Sequence, residues 1–403
     1  MRVLLINKFH YLRGGAERAY FDTAHILAES GHQVAFFSMQ HPENFQTEWS
    51  HFFVAREEYT EGNPTLGERF RLVRNILWNF EAARKLEALI DEFQPEIAHL
   101  HNTYHQLSPS ILWTLKKRHI PIVMTLHDYK LLSPNYSLFA RGKIWEHTSG
   151  LRCLMDRCVK DSFAKSLICV LEHWLHLFLG SYRKIDRFVA PSRFLIDKYQ
   201  SMGSPLTIQH LPQPLRPYPE AAPVTGEYLL SYGRLSPEKG VEVILDALKI
   251  AKGYSLKIAG TGPFEEHLKK KVSSEKTLGV EFVGYQTGEA LELLIQNAKA
   301  IILSSVWYEN MPYTLVEALA RGKVVIAPRL GGIPERINNG ANGFLFEPGD
   351  ASDLARVIQG LDQHDLKEIS QKARESTEDL RPDVYKTALE SLYSGLLTYT
   401  KPD

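Results

Sequence analysis

Short apolar runs alternate with helix-period segments through almost the whole chain, and the rhythm occurs twice. In the first half the runs are Val3–Asn7, Val34–Met39, Ile97–Asn102, Ile122–His127 and Phe188–Ala190. In the second they are Tyr228–Tyr232, Leu256–Ala259, Glu281–Val283, Ala300–Leu303, Val324–Ala327 and Gly343–Phe346. Strands that are apolar throughout, rather than at every other residue, belong in parallel sheets covered on both faces by helices. Helical spacing lies between the runs: Ala16–Ser30, closed by Gly31, then Val241–Ala251, Gly288–Asn297 and Thr314–Arg321.

Between the two series, Met202–Val224 carries Pro205, Pro212, Pro214, Pro217, Pro219 and Pro223. Neither a helix interior nor a central strand tolerates that density. The reading is α/β: a Rossmann-like domain over 1–204, a Pro-rich linker over 205–224, and a second Rossmann-like domain over 225–382. A tail over 383–403, helical through Asp383–Tyr399, crosses back to the first domain by analogy. Two parallel sheets then face a central cleft. Ligands of such sheets gather beyond the carboxyl ends of strands, so the loops after strands carry the most weight.

Composition narrows the partners. Forty-seven basic residues balance 47 acidic ones, which argues against a dedicated nucleic-acid binder. The three cysteines, Cys153, Cys158 and Cys169, imply no disulfide framework and fit a reducing compartment. Met1–Asn7 is too short for a signal peptide and no run suffices for a spanning helix, so a cytoplasmic protein is expected.

The most specific chemistry follows Ala300–Leu303, in the run from Ser304 to Gly322. Pro312 suits the first position of a helix and Gly322 its C-cap. The backbone of Asn310, Met311, Pro312 and Tyr313 then lies at a helix N-terminus, where amides and macrodipole favour an anion. Glu309 ahead of the helix and Glu317 within it serve best as acceptors for hydroxyls on either side of that anion. Both also read as solvated helix-end charges, and the surroundings decide. Those surroundings are Gly233-Arg234-Leu235-Ser236-Pro237-Glu238-Lys239-Gly240, in which Arg234 and Lys239 are suited to clamp a diphosphate and to stabilise its charge on departure without a metal. Gly260, in Gly260-Thr261-Gly262-Pro263, permits close backbone approach to a nucleotide or simply makes a tight turn. Gly331-Gly332-Ile333-Pro334-Glu335 precedes a helix with Glu335 in its first turn, where a helix-cap role explains it as well as a ligand contact would.

In the first half, Gly14-Gly15-Ala16-Glu17-Arg18 opens a helix after the first strand, where Gly15 brings amides against a phosphate or acceptor. It lacks the full dinucleotide fingerprint. His127 closes a strand and either meets a sugar hydroxyl, with Asp128 holding its tautomer, or is a capped loop histidine. His99 and His101 share a face, with His105 following, but no acidic residue lies at matching spacing and a metal is the lesser reading. Phe163–Leu179 is rich in Leu, Trp and Phe beside Lys165, Arg183 and Lys184. A packing helix is favoured there over a peripheral contact at the inner face of a membrane.

These motifs, in this order, resemble the retaining glycosyltransferases of family 4, which have the two-Rossmann GT-B fold. The resemblance implies Arg234 and Lys239 on the diphosphate of a nucleotide sugar, Glu317 on the ribose, Glu309 on the transferred sugar and His127 at the reacting centre. It implies donor contacts from Gly15, Gly233, Gly260 and the residues 310–313, no metal or other cofactor, and no covalent carboxylate intermediate. The acceptor would be a glycan or lipid-linked molecule in polysaccharide or glycoconjugate synthesis. Leu131–Val159 is also similar to a subgroup with several cysteines, but Ser133, Trp145 and Thr148 stand where others would carry cysteine, so neither a metal nor a disulfide is expected. Two rivals share the fold: a sugar-nucleotide epimerase, which needs dedicated acid and base side chains, and a silent nucleotide-sugar-binding module, which has no need of Glu309, Arg234 and Lys239 together.

Overall fold

A computed structural model describes residues 1–56, 65–216, 226–275, 277 and 279–399. The chain divides into two compact units. One comprises 1–137, 147–214 and 382–403, and the other 138–146 and 215–381.

The first unit is built on β1 (Arg2–Ile6), β2 (Gln33–Phe37), β3 (Ile97–Leu100) and β4 (Ile122–Thr125). Another chain segment, 138–146, forms the hairpin of β5 (Phe139–Ala140) and β6 (Lys143–Ile144), which belongs to the second unit. The first sheet is completed by β7 (Arg187–Ala190) and β8 (Ile208–His210), in the order β2-β1-β3-β4-β7-β8, all parallel. Val3 to Ile6 are wholly buried, as a central strand covered on both sides must be. Helix Gly15–Glu29 buries Ala19, Tyr20, Thr23, Ala24 and Leu27 along one side. Helix Pro382–Tyr399 is part of this unit: Tyr385, Leu389, Leu392, Tyr393 and Leu396 share a core cluster with Val3, Leu5, Ile97 and Val123.

The second unit holds β9 (Tyr228–Tyr232), β10 (Ser255–Ala259), β11 (Val280–Gly284), β12 (Ala298–Ile302), β13 (Val325–Pro328) and β14 (Phe344–Phe346). They pair in parallel in the order β11-β10-β9-β12-β13-β14. Adjacent residues of β9 enter different cores, Leu229 one and Leu230 the other, because both faces of the sheet are packed. In each sheet the chain leaves the first strand one way and later returns to its other side. The reversal falls between β1 and β3 in one unit and between β9 and β12 in the other, where α/β sheets hold their ligands.

Three expectations need correction. The stretch read as linker from 205 contributes β8, because Pro205 and Pro212 flank the three-residue edge strand without entering its ladder; from 217 on it lies outside the described residues, as do 400–403. Cys153 and Cys158 form a disulfide, against the expectation of none. Helix Gly150–Asp156 ends at Arg157 in the left-handed region (φ 49°), which turns Cys158 back until its amide meets the Cys153 carbonyl at 3.0 Å. Ile333–Glu335 is a single 3-10 turn rather than the start of a longer helix.

Candidate active site

The second unit gathers its chemistry at the reversal between β9 and β12. After β9 the chain passes Gly233 and Arg234, makes a 3-10 turn over Pro237–Lys239 and enters helix Val241–Ile250 through Gly240. After β12 it runs through 303–311 to helix Tyr313–Ala320, with Pro312 as N-cap, one residue earlier in the helix frame than the sequence suggested. The loops are stitched together: the Val306 amide donates to the Glu238 carbonyl at 2.9 Å, and Ser304 Oγ to the Lys239 carbonyl at 3.0 Å. Gly240 makes this possible. Its φ is 62°, and a Cβ there would lie 2.1 Å from the Ser304 carbonyl oxygen.

Glu309 is the buried centre of the arrangement. Its Oε1 accepts from Lys239 Nζ at 2.5 Å, Ser305 Oγ at 2.8 Å and Trp307 Nε1 at 2.9 Å. None of the protein's hydrogen bonds among the described residues reaches Oε2. Burial pushes the carboxyl upward, but the Lys239 charge and the three donors outweigh it and hold Glu309 below its ordinary value. The outcome is an ionised carboxylate in a fixed pose with one oxygen free to accept.

The backbone of Glu309 is held from the other side. Gly332 donates its amide to the Glu309 carbonyl at 2.7 Å, and a Cβ on Gly331 would lie 2.3 Å from the same oxygen. The two glycines noted from sequence therefore serve the placement of Glu309.

Arg234 is exposed, without a hydrogen bond or ion pair among the described residues, while the backbone on either side of it is tied down. The Gly233 amide donates to Ala259 and that of Leu235 to Thr261, each at 2.9 Å. Gly260 is glycine for a reason within the protein: a Cβ there would meet the Gly233 carbonyl at 1.9 Å. Asn310 and Pro312 are half-buried, Met311 and Tyr313 are buried, and Glu317 is buried in the helix that follows, within electrostatic reach of Arg321. The second unit thus brings together Lys239, Glu309 and residues 310–313, with Arg234, Gly233 and Gly260 on the neighbouring strand ends.

In the first unit, Gly15 is exposed at the start of helix Gly15–Glu29. His127 follows β4 and stacks on His101, which stacks on His99, with ring centroids 5.1 and 4.9 Å apart. His127 Nε2 lies 2.9 Å from Nδ1 of His101, and its Nδ1 faces the Gln213 side-chain nitrogen at 3.5 Å. An amide NH2 only donates, so this pose puts the His127 proton on Nε2 and gives it to His101. Burial depresses His127 and His99 to about 3, keeping both neutral. His99 is anchored by Tyr393 and Thr125, each at 2.7 Å. Asp128 accepts the backbone amide of Lys130 at 2.9 Å.

The metal reading fares differently from its sequence form. His105 parts from the other two histidines and joins Cys169 and Glu172, with one ligand atom of each within 4.8 Å of the others. Glu172 there takes the Lys130 ammonium at 2.6 Å and His105 at 3.1 Å, so a side-chain cation already fills the group. Sequence reasoning missed Glu172 because a helix far along the chain supplies it. It missed Ser305, Trp307 and Gln213 as well, since no periodicity marks loop residues that hold a neighbour.

A model of the group 1 glycosyl transferases matches residues 217–376, and one of glycosyltransferase family 4 matches 13–212. The chain belongs to this glycosyltransferase family. Relatives of this glycosyltransferase include a protein in the cps region of Klebsiella pneumoniae, 26% identical over 374 residues, covering 89% of this chain and 92% of that one. WcaL of Escherichia coli K12, a putative colanic acid biosynthesis glycosyltransferase, is 27% identical over 247 residues, covering 56% of this chain and 61% of WcaL. Among solved structures, sucrose-phosphate synthase of Thermosynechococcus elongatus superposes with a TM-score of 0.72 at 16% identity, covering 99% of both chains. HepE of Anabaena, solved in complex with UDP, superposes at 0.66 and 18% identity, covering 98% of this chain and 100% of HepE. At these identities the structural likeness is one of fold.

Proposed function

We propose that this glycosyltransferase moves a sugar from a nucleotide diphosphate donor to a glycan or lipid-linked acceptor in polysaccharide or glycoconjugate synthesis, with retention of anomeric configuration and without a divalent metal. The observation that carries the reading is the Glu309 carboxylate, ionised, immobilised through Oε1 and open at Oε2. A fixed acceptor of that kind suits a hydroxyl of the transferred sugar.

Lys239 has two further N–H donors beyond the one spent on Glu309, and Arg234 has all five. Together with the start of helix Tyr313–Ala320 they supply fixed positive charge for a diphosphate, as a metal would elsewhere. Glu317 takes the ribose, and Gly233 and Gly260 line the approach with backbone. Gly15 presents backbone amides from the first unit. In the transfer the bond from C1 to the phosphate oxygen breaks and the bond from C1 to the acceptor oxygen forms on the same face. The acceptor proton passes to the departing phosphate, so no enzyme carboxylate need attack. His127, neutral and spent on His101 in this pose, serves by orienting the sugar once Gln213 or His101 yields.

The UDP complex of HepE supports a uridine nucleotide as the first donor to try. The colanic acid description of WcaL, together with a lipopolysaccharide N-acetylglucosaminetransferase of Salmonella typhimurium 29% identical over 157 residues, supports a surface-glycan acceptor. A nucleotide-sugar donor fits a cytoplasmic reaction. The test is product analysis by NMR with a nucleotide-sugar and acceptor panel. An axial donor giving an axial product, at a rate unchanged by EDTA and abolished in a folded Glu309→Ala variant, is expected. An inverted product, loss of turnover in EDTA, or near-normal turnover in that variant contradicts the corresponding part.

A further inference from the structure

Helix Phe163–Phe178 is amphipathic the wrong way round for a helix packed in a soluble core. Ser166, Cys169, Val170, Glu172 and His176 are buried, whereas Phe163, Leu171, Trp174, Leu177 and Phe178 are exposed by 54%, 42%, 43%, 66% and 88%. At about 100° per residue the five exposed side chains fall within an arc of about 120°. The orientation is set by the polar side, where specific bonds hold it. Lys130 Nζ donates to Glu172 at 2.6 Å, Ser166 Oγ accepts the Val159 amide at 3.1 Å, and His176 Nδ1 lies 3.0 Å from Ser181 Oγ. Rotating the helix to hide its apolar stripe would strand a buried ion pair.

A second helix enlarges the stripe. Gly150–Asp156 lies against it so closely that a Cβ on Gly150 would be 2.8 Å from the Trp174 ring, and it adds Leu151 and Met155, exposed by 64% and 69%. Isolated exposed apolar residues need no explanation, but this many on two adjoining helices do. The charge around them is one-sided. Residues 150–184 carry six basic residues against three acidic in a chain whose total is balanced 47 to 47. One of the three, Glu172, is buried on Lys130, and a second, Asp156, is bonded to Arg152. Arg152, Arg157, Lys160, Lys165 and Arg183 are exposed.

We infer that this face docks on an anionic lipid surface, the apolar stripe entering the headgroup boundary and the basic rim meeting the lipid charge. The docking is peripheral, since no helix among the described residues is long and apolar enough to cross a membrane. It takes up the alternative that the sequence left open beside a packing helix, and it stands independently of the donor site.

The test is co-sedimentation with phosphatidylcholine vesicles, with and without phosphatidylglycerol, at low and high salt. The full chain is expected to bind phosphatidylglycerol vesicles more than tenfold tighter than neutral ones and to lose the preference in high salt. Leu177→Ser/Phe178→Ser and, separately, Lys165→Glu/Arg183→Glu each weaken binding by about tenfold or more, at about 1 kcal/mol per basic charge near the lipid. All of these positions are exposed, so unchanged melting temperature and unchanged nucleotide thermal shift are required of both variants. Equal binding to both vesicle types, no binding at all, or full binding by the charge-reversed variant overturns the inference. So does a dimer in sedimentation velocity that the Leu177/Phe178 variant dissolves while vesicles are ignored.

Discussion

Nζ of Lys239 lies 2.5 Å from Oε1 of Glu309, an ion pair drawn between the loops that follow β9 and β12. Beside the phosphate contact proposed for it, Lys239 is the main counterweight to the burial of Glu309. In Lys239→Ala, turnover should fall on the order of 10²-fold. Burial then acts on the carboxyl with less opposition, its pKa rises, and the acid limb of the residual kcat/KM profile moves to higher pH. An acid limb that stays in place contradicts the coupling.

Gly331 is where backbone space is tightest around the site. Its φ is 65°, and a Cβ would lie 2.3 Å from the Glu309 carbonyl oxygen. Gly331→Ala is expected to destabilise by about 1–3 kcal/mol and to lose activity beyond what its melting temperature explains, since Glu309 must shift. Gly360 has nothing within 4 Å of a would-be Cβ, so Gly360→Ala is the control, with unchanged activity and stability within about 0.5 kcal/mol.

The buried histidines give the stability a pH dependence of defined sign. Burial lowers His99 and His127 to about 3 and His10 to about 4, from an ordinary value near 6.5. The unfolded chain therefore binds more protons than the folded one between those values. Stability is fully present above about pH 6.5 and is lost progressively as pH falls toward 3. Denaturant midpoints measured from pH 7.5 to 4.5 should decline steadily, and His99→Gln should flatten part of the slope.

Lys130 and Glu172 have side chains only 2% and 1% exposed, paired at 2.6 Å. Removing one partner leaves a buried charge, and Glu172→Ala should cost about 3–5 kcal/mol by urea unfolding. A paired replacement, Lys130→Met with Glu172→Leu, should recover most of the loss.

The fold was legible because its signal is repeated and local. Apolar runs such as Val3–Asn7 and Tyr228–Tyr232 fall on β1 and β9 within one residue at each end, since a fully buried parallel strand has little freedom in composition. Ile208–His210 was hidden because a three-residue edge strand between prolines has neither length nor periodicity. In the candidate site, that Glu309, Lys239 and the helix start at Pro312 belong together could be read from residue type and order. What holds them could not: Ser305 and Trp307 act within one loop, and Gly331 acts by leaving room beside a carbonyl at a remote position. The link from His127 to His101 and Gln213 joins three segments that only the folded sheet brings side by side.

The central claim is that the loops after β9 and β12 grip a nucleotide diphosphate through Arg234, Lys239 and the helix start at Pro312. Calorimetric titration of UDP, GDP and ADP into the wild type and Arg234→Ala tests it most directly. Arg234 is exposed and makes no hydrogen bond or ion pair among the described residues, so its loss should leave the melting temperature unchanged. One nucleotide should bind the wild type selectively, and Arg234→Ala should weaken it by about tenfold or more, as loss of a charge-assisted pair requires. No binding by any of the three, or equal affinity in the variant, would contradict the account.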